Sequence, residues 1–199
     1  MSWGPFELEG KADVITGGAM GSQMRRELTG SPVLEATAQP HPGQNLPTPP
    51  HEAVDSHEYR VRLTGTDAQT ALLDSVEDGL PALEVATPPQ FGGRERVWSP
   101  EHLFVASAAA CLMTTFRVIA GISRLEVLSY TDDAIGRLVK GEDRLYRIDR
   151  VTLRPRVVIR GPNQIEKAHR LLQKAEEVCL IGRSMACHMV VEPTIEAGE

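Results

Sequence analysis

The residues best equipped for chemistry in this 199-residue chain are its three cysteines, Cys111, Cys179 and Cys187. A thiolate attacks peroxides, disulfides and acyl groups, and a Cys becomes reactive when its surroundings favour that ionised form. A cysteine inside an apolar helix is ordinarily a small core residue, because burial favours the neutral thiol. Cys111 follows Ala108-Ala109-Ala110 and Cys179 follows Val178, so neither is marked as reactive by its immediate neighbours. No Cys-x-x-Cys is present, which speaks against a thioredoxin-like dithiol or a zinc knuckle. Cys187-His188 places two ligand types side by side, but His41, His51, His57, His102 and His169 form no ligand spacing. No metal is expected.

Composition bounds what can position these thiols. A hydrophobic fraction of 41% and a charged fraction of 24% are those of a soluble globular protein. The net charge of −6 excludes the basic stripe of a nucleic-acid-binding surface. Three cysteines are too few and of the wrong parity for a secreted disulfide scaffold, so free thiols in a reducing cytoplasm are expected. The first residues lack the basic and apolar regions of a signal peptide, and the longest apolar run, Leu103 to Met113, is too short to span a bilayer.

Residues 1–55 are rich in Gly and Pro without sustained periodicity and read as a flexible tail. Gly18-Ala19-Met20-Gly21-Ser22 resembles a cloning remnant, and Met24 offers a natural start. One domain is expected over residues 56–196. His57 to Leu63 alternates, which predicts a half-buried strand with Tyr59, Val61 and Leu63 facing inward. A second strand is predicted at Ala71–Val76, then a turn at Asp78-Gly79 and a third strand through Ala86. Pro88 to Arg96 is a loop of backbone breakers. Ser99-Pro100-Glu101 predicts a helix start, with Ser as N-cap, Pro in the first position and an acid in the first turn. That helix is apolar on nearly every side, should stop at Gly121, and reads as a buried central element. Long strands are expected over 124–140 and 145–160. A helix from Gly161-Pro162 carries the stripe Ile165, Ala168, Leu171, Leu172, Ala175 and Val178–Cys179, with Gly182 as its stop. A last strand runs from Cys187 to Pro193. The order β-β-β-α-β-β-α-β predicts an α+β fold with an antiparallel sheet.

Three segments and the interval between two of them together resemble one known family. Ser99-Pro100-Glu101-His102-Leu103 through Cys111 is similar to the Pro-Glu…Cys helix of the OsmC/Ohr family, with the same Glu-to-Cys interval (111 − 101 = 10). Pro89-Gln90-Phe91-Gly92-Gly93 resembles the Gly-Gly loop of its organic hydroperoxide resistance branch. Ala175-Glu176-Glu177-Val178-Cys179 resembles the segment that carries the family's second thiol, and the interval 179 − 111 = 68 is close to the family's. The resemblance covers residues 57–193. It implies an OsmC-like fold, an antiparallel sheet wrapped around two central helices in an intertwined homodimer. It also implies thiol-dependent reduction of organic hydroperoxides through a Cys111 sulfenic acid and a Cys111–Cys179 disulfide, with a dithiol, such as a lipoyl protein, as reductant. No cofactor and no membrane or nucleic-acid partner is implied.

The same resemblance assigns an arginine to activate the thiol and Glu101 to hold it. Thr64 to Asp74 contains no arginine, and Phe91 stands where another branch has one. Arg94 and Arg96 are the nearest substitutes, and Arg94 is favoured. Leu180-Ile181-Gly182-Arg183-Ser184 replaces the commoner Cys-Pro-x-Ser and points to an OsmC-like subgroup. Ten helical residues advance about 15 Å, so Glu101 serves the Cys111 site only from a neighbouring subunit or through a long-range partner. Two other readings stand beside peroxidase activity. One is a non-enzymatic dimer that binds a small apolar or thiol-reactive ligand at its interface. The other is Cys–His acyl transfer using His102 from another subunit.

Overall fold

The computed structural model describes residues 56–76 and 79–199. The expected tail at 1–55 and the Asp78 half of the expected turn lie outside the described residues.

Ser99 opens the first long helix as its sequence predicts. Its Oγ accepts the His102 N–H at 3.4 Å, and the Ser99 N–H donates to His102 Nδ1 at 3.3 Å. This is a capping box closed by an imidazole instead of a carboxylate. Helix α1 runs Pro100–Ile122, past the stop expected at Gly121. Arg124 takes the left-handed position instead, at φ 54°, and its N–H donates back to the Gly121 carbonyl at 3.0 Å.

One stripe of α1, Ala108, Leu112, Phe116 and Ala120, is buried at the i, i+4 spacing of a single helix face. The expectation of burial on every side is therefore corrected within the chain: Val118 and Ile122 are exposed. By length and composition α1 could cross a bilayer. Its buried stripe packs in the core with Leu153, Val157 and Leu172, as that of a central helix does.

The first three strands form a meander, β1 (Val61–Gly65), β2 (Thr70–Ser75) and β3 (Leu83–Ala86), with antiparallel pairing throughout. Here the inward face predicted for the first strand is corrected. Tyr59, Val61 and Leu63 are 85%, 70% and 63% exposed. Among the described residues β1 is an edge strand paired only with β2, and no other element covers that face. Pro89–Phe91 forms a 3₁₀ turn that Gly92 ends at φ 78°. At Gly93 a Cβ would collide with the Thr87 carbonyl, so the loop into α1 is drawn tightly against the end of β3.

The two long strands each break once. They become β4 (Val127–Asp132) with β5 (Ile135–Lys140), and β6 (Tyr146–Leu153) with β7 (Pro155–Arg160). The C-terminal strand also divides, into β8 (His188–Val191) and β9 (Thr194–Gly198), so structure continues past the boundary expected at 196. The breaks stand at one level. Asp132 Oδ1 accepts the Arg154 N–H at 2.8 Å, Arg154 Nε donates to Glu192 Oε2 at 2.9 Å, and the Glu192 N–H donates to the Leu153 carbonyl at 2.9 Å. Pro155 and Pro193 lack the N–H that a continuing ladder would use. Sheet order is β4-β7-β9 on one side of this crease and β5-β6-β8 on the other.

The fold is α+β, as expected, with one difference of sheet type. β8 pairs parallel to β6 and β9 parallel to β7, while β4–β7 and β5–β6 are antiparallel. The parallel pairs arise because a helical crossover lies between the paired segments. That crossover holds α2 (Ile165–Val178), which buries Ala168, Leu172 and Ala175 as predicted, and the short α3 (Leu180–Ser184).

Candidate thiol site

Cys111 lies half-buried at the edge of the α1 stripe, between Ala108 and Leu112, and Cys179 is fully buried. Neither forms a disulfide. Cys179 owes its setting to a break in the backbone. At φ −60° and ψ 113° it ends α2 and caps α3 in one residue, and its Sγ accepts the Gly182 N–H at 3.4 Å. Gly182 therefore lies inside a second helix instead of stopping the first. The break also redirects the chain toward α1, so that the Ile181 N–H donates to Cys111 Sγ at 3.4 Å. Thr115, one turn along α1, places its hydroxyl 4.0 Å from the same sulfur.

These contacts split the two thiols. Burial pushes the Cys111 thiol up, but donation from the Ile181 N–H, the Cys179 thiol, the Thr115 hydroxyl and the Leu180 N–H outweighs it. Cys111 is left below the ordinary thiol value. Burial pushes Cys179 up; the Gly182 N–H opposes this, and the adjacent Cys111 adds to it. Of the two thiols, Cys111 is therefore the more readily ionised and Cys179 the less. Cys187 is also raised, by burial first and by the charge of Asp149 among lesser causes.

Of the four residues singled out from the sequence, the chain brings together Cys111 and Cys179. Arg94 is engaged elsewhere, with Nη1 3.4 Å from Glu84 Oε1 and 3.8 Å from Asp67 Oδ2, beside β2 and β3. Arg96 is exposed with a left-handed backbone at φ 62°. Glu101 stays in the first turn of α1, where its Oε2 is buried without a hydrogen-bond partner. Among the described residues no guanidinium donates to either sulfur, and no three His, Cys, Asp or Glu side chains group as metal ligands.

Sequence reasoning missed the donors that surround Cys111. Thr115 could have been found, since i+4 shares a helix face. The Leu180 and Ile181 groups are main-chain atoms, with no side-chain signature to read. It also missed Tyr130 and Asp132 on β4. The Tyr130 ring lies 6.1 Å from that of Phe116. Tyr130 Oη and Asp132 Oδ2 are both buried; neither makes a well-formed hydrogen bond, but the two lie close enough that each shifts the other's titration. Burial, then the facing Asp132 and the nearby Cys179, push the Tyr130 phenol well above its usual range. Burial likewise raises Asp132, against the Arg154 N–H that stabilises its charge.

This α+β fold with two packed helices has counterparts among known proteins. The sequence profile of the family described as OsmC-like protein matches residues 93–194, from the loop before α1 to the start of β9. The chain belongs to that family. Its relatives include the uncharacterized protein YmaD of Bacillus subtilis (strain 168), 25% identical over 116 residues that cover 56% of this chain and 75% of that protein. Among solved structures, an OsmC-like protein of unknown function from Vibrio cholerae is 26% identical with a TM-score of 0.63, covering 69% of this chain and 99% of that one. An organic hydroperoxide resistance protein OsmC from Legionella pneumophila is 23% identical with a TM-score of 0.55, covering 73% and 99%. That second likeness is one of fold. In this OsmC-like chain the family match excludes β1–β3, the region that carries the uncovered Tyr59, Val61 and Leu63.

Proposed function

We propose that this OsmC-like protein is a thiol-dependent peroxidase that reduces organic hydroperoxides to alcohols. The observation that carries the reading is the setting of the pair: Cys111 Sγ accepts the Ile181 N–H at 3.4 Å, beside a fully buried Cys179, contacts that lower the Cys111 thiol while burial raises Cys179. The Cys111 thiolate attacks the terminal oxygen of ROOH, the O–O bond breaks, and the departing alkoxide takes a proton to become the alcohol. Cys111 is left as a sulfenic acid. Cys179 sulfur then attacks Cys111 sulfur, the S–S bond forms and water leaves. A dithiol such as a lipoyl group restores both thiols by exchange.

The protein acts as a cytoplasmic homodimer in this proposal. The apolar face of β1 and the outer face of α1, with Val118 62% and Ile122 80% exposed, supply the area a second copy would cover. Glu101, whose buried Oε2 has no partner in its own chain, holds a guanidinium of the second copy, with Arg94 as the candidate. Turnover of cumene hydroperoxide or tert-butyl hydroperoxide with dihydrolipoamide tests the activity. Alcohol formed in step with dithiol oxidised is the expected result. No consumption of either peroxide, with dihydrolipoamide or dithiothreitol, overturns the proposal.

A further inference from the structure

We infer that α3 is a redox-released cover: a Cys111–Cys179 disulfide removes the two sulfur acceptors that hold α3 down, and α3 then opens over the pair. The release itself rests only on the joining of those two thiols; its use, admission of a reductant, rests on the peroxidase reading. Helix α3 (Leu180–Ser184) spans five residues, too few to be stable as a helix alone. None of its residues is fully buried, and Leu180 is 66% exposed. Its first turn is tied down by sulfur. Ile181 N–H donates to Cys111 Sγ and Gly182 N–H to Cys179 Sγ, each at 3.4 Å. The second bond is the N-cap of the helix, with a thiol in place of the usual hydroxyl or carboxylate. Gly182 also lets the sheet approach from β8. A Cβ there would come within 2.7 Å of Met189 Cε and 3.5 Å of Cys179 Sγ, so α3 lies directly against that sulfur.

A bond between the two sulfurs undoes both contacts. Cys179 Sγ leaves the cap position to join Cys111, and the Gly182 N–H loses its acceptor. A disulfide sulfur carries no charge, so the Ile181 bond to Cys111 weakens as well. The step is a two-electron oxidation: two thiol protons and two electrons pass to the oxidant as the S–S bond forms. A hydroperoxide taking them leaves as alcohol and water. What then remains on α3 is a single turn of main-chain bonds and the flexible Met189 contact. Those bonds run from the Arg183 N–H to the Cys179 carbonyl at 3.0 Å and from the Met185 N–H to the Ile181 carbonyl at 3.1 Å. An uncapped turn of this length frays. The consequence is access. Cys179 is fully buried with both thiols free, so a dithiol reaches its sulfur only when the cover moves. Release of α3 exposes the disulfide when it has to be reduced, and the restored thiols recapture the two N–H groups and close it.

Amide hydrogen exchange of the full-length protein tests this, with the disulfide made by diamide so that no peroxide enters. Diamide takes both thiol hydrogens and leaves as the hydrazine. Cys187→Ser protein, read beside the wild type, keeps the third thiol out of the reaction, and peptide mass spectrometry identifies the Cys111–Cys179 bond. Amides of residues 180–185 should exchange about tenfold or more faster in the disulfide form, with α1 and α2 unchanged. Cys179→Ala removes the cap and cannot form the disulfide, and it should show fast exchange in α3 without any oxidant. Cys179→Ser keeps an oxygen at the cap and should stay protected with or without diamide. Equal exchange in the thiol and disulfide forms, or α3 as protected in Cys179→Ala as in the wild type, overturns the release. So does a rise spread evenly over α1, α2 and α3, or failure of diamide to join Cys111 to Cys179. Wild-type protein inert toward hydroperoxides overturns the peroxidase reading instead, and the exchange measured with diamide still decides the release.

Discussion

The interior between α1, α2 and the bent sheet contrasts with the three-stranded meander that precedes it. In the interior, Ala108, Leu112 and Phe116 meet Leu153, Val157 and Leu172, and the thiol pair is assembled by one chain. In the meander, Tyr59, Val61 and Leu63 face outward, and Arg94 is tied to Glu84 and Asp67 far from any sulfur contact. The difference separates two requirements of one site. Thiol acidity is supplied locally, by main-chain N–H groups and a neighbouring thiol. A guanidinium and a cover for the apolar faces are what the proposed second copy would supply.

The comparison breaks hardest at the thiol that carries the charge. Cys111→Ser should lower peroxide turnover by about a thousandfold or more, measured as alcohol formed with dihydrolipoamide. Turnover retained in that variant would move the chemistry out of the interior altogether. Next in size is the packing that holds the pair. Phe116→Ala should destabilise the fold by about 3–5 kcal/mol in urea unfolding, since the ring is fully buried and backs Tyr130. Val61→Glu with Ile122→Glu should leave stability within about 1 kcal/mol, because both positions are exposed in the single chain. The same pair of changes should convert a dimer to a monomer in light scattering. A wild-type monomer would close the question of a second copy.

Arg94→Ala sharpens the division further. If the meander supplies the guanidinium, turnover should fall about tenfold to a hundredfold and the Cys111 titration should move upward. If peptide donors suffice, both should stay put, and the loss should be limited to an exposed ion pair worth about 0–1 kcal/mol. The smallest effect expected is in the pH profile of Cys179→Ala. Cys111 loses one donor to its charged form, so its pKa rises and the rate of first oxidation reaches its plateau at higher pH.

Much of the interior was legible from residue types. Ser99-Pro100-Glu101 marked the start of α1, and the stripe of Ala168, Leu172 and Ala175 marked the buried face of α2. The two thiols were identified with each other only through resemblance, because nothing local to 111 or 179 states that a break after Val178 folds Ile181 back onto α1. The crease was hidden for a related reason. Asp132, Arg154 and Glu192 lie on separate strands, and their bonds to one another are non-local. Alternation over Tyr59, Val61 and Leu63 gave the right side-chain period but not what lies against that face. Periodicity reports which residues share a side, and burial depends on a neighbour the strand does not encode.

The most direct test of the central claim is a titration of Cys111 in the wild-type protein, read by alkylation and mass spectrometry, followed by one equivalent of cumene hydroperoxide. The account predicts a Cys111 pKa below that of an ordinary thiol, one equivalent of alcohol, and a Cys111–Cys179 disulfide within a single chain. A Cys111 that titrates at or above the ordinary value, with the peroxide untouched and both thiols still free, would contradict it.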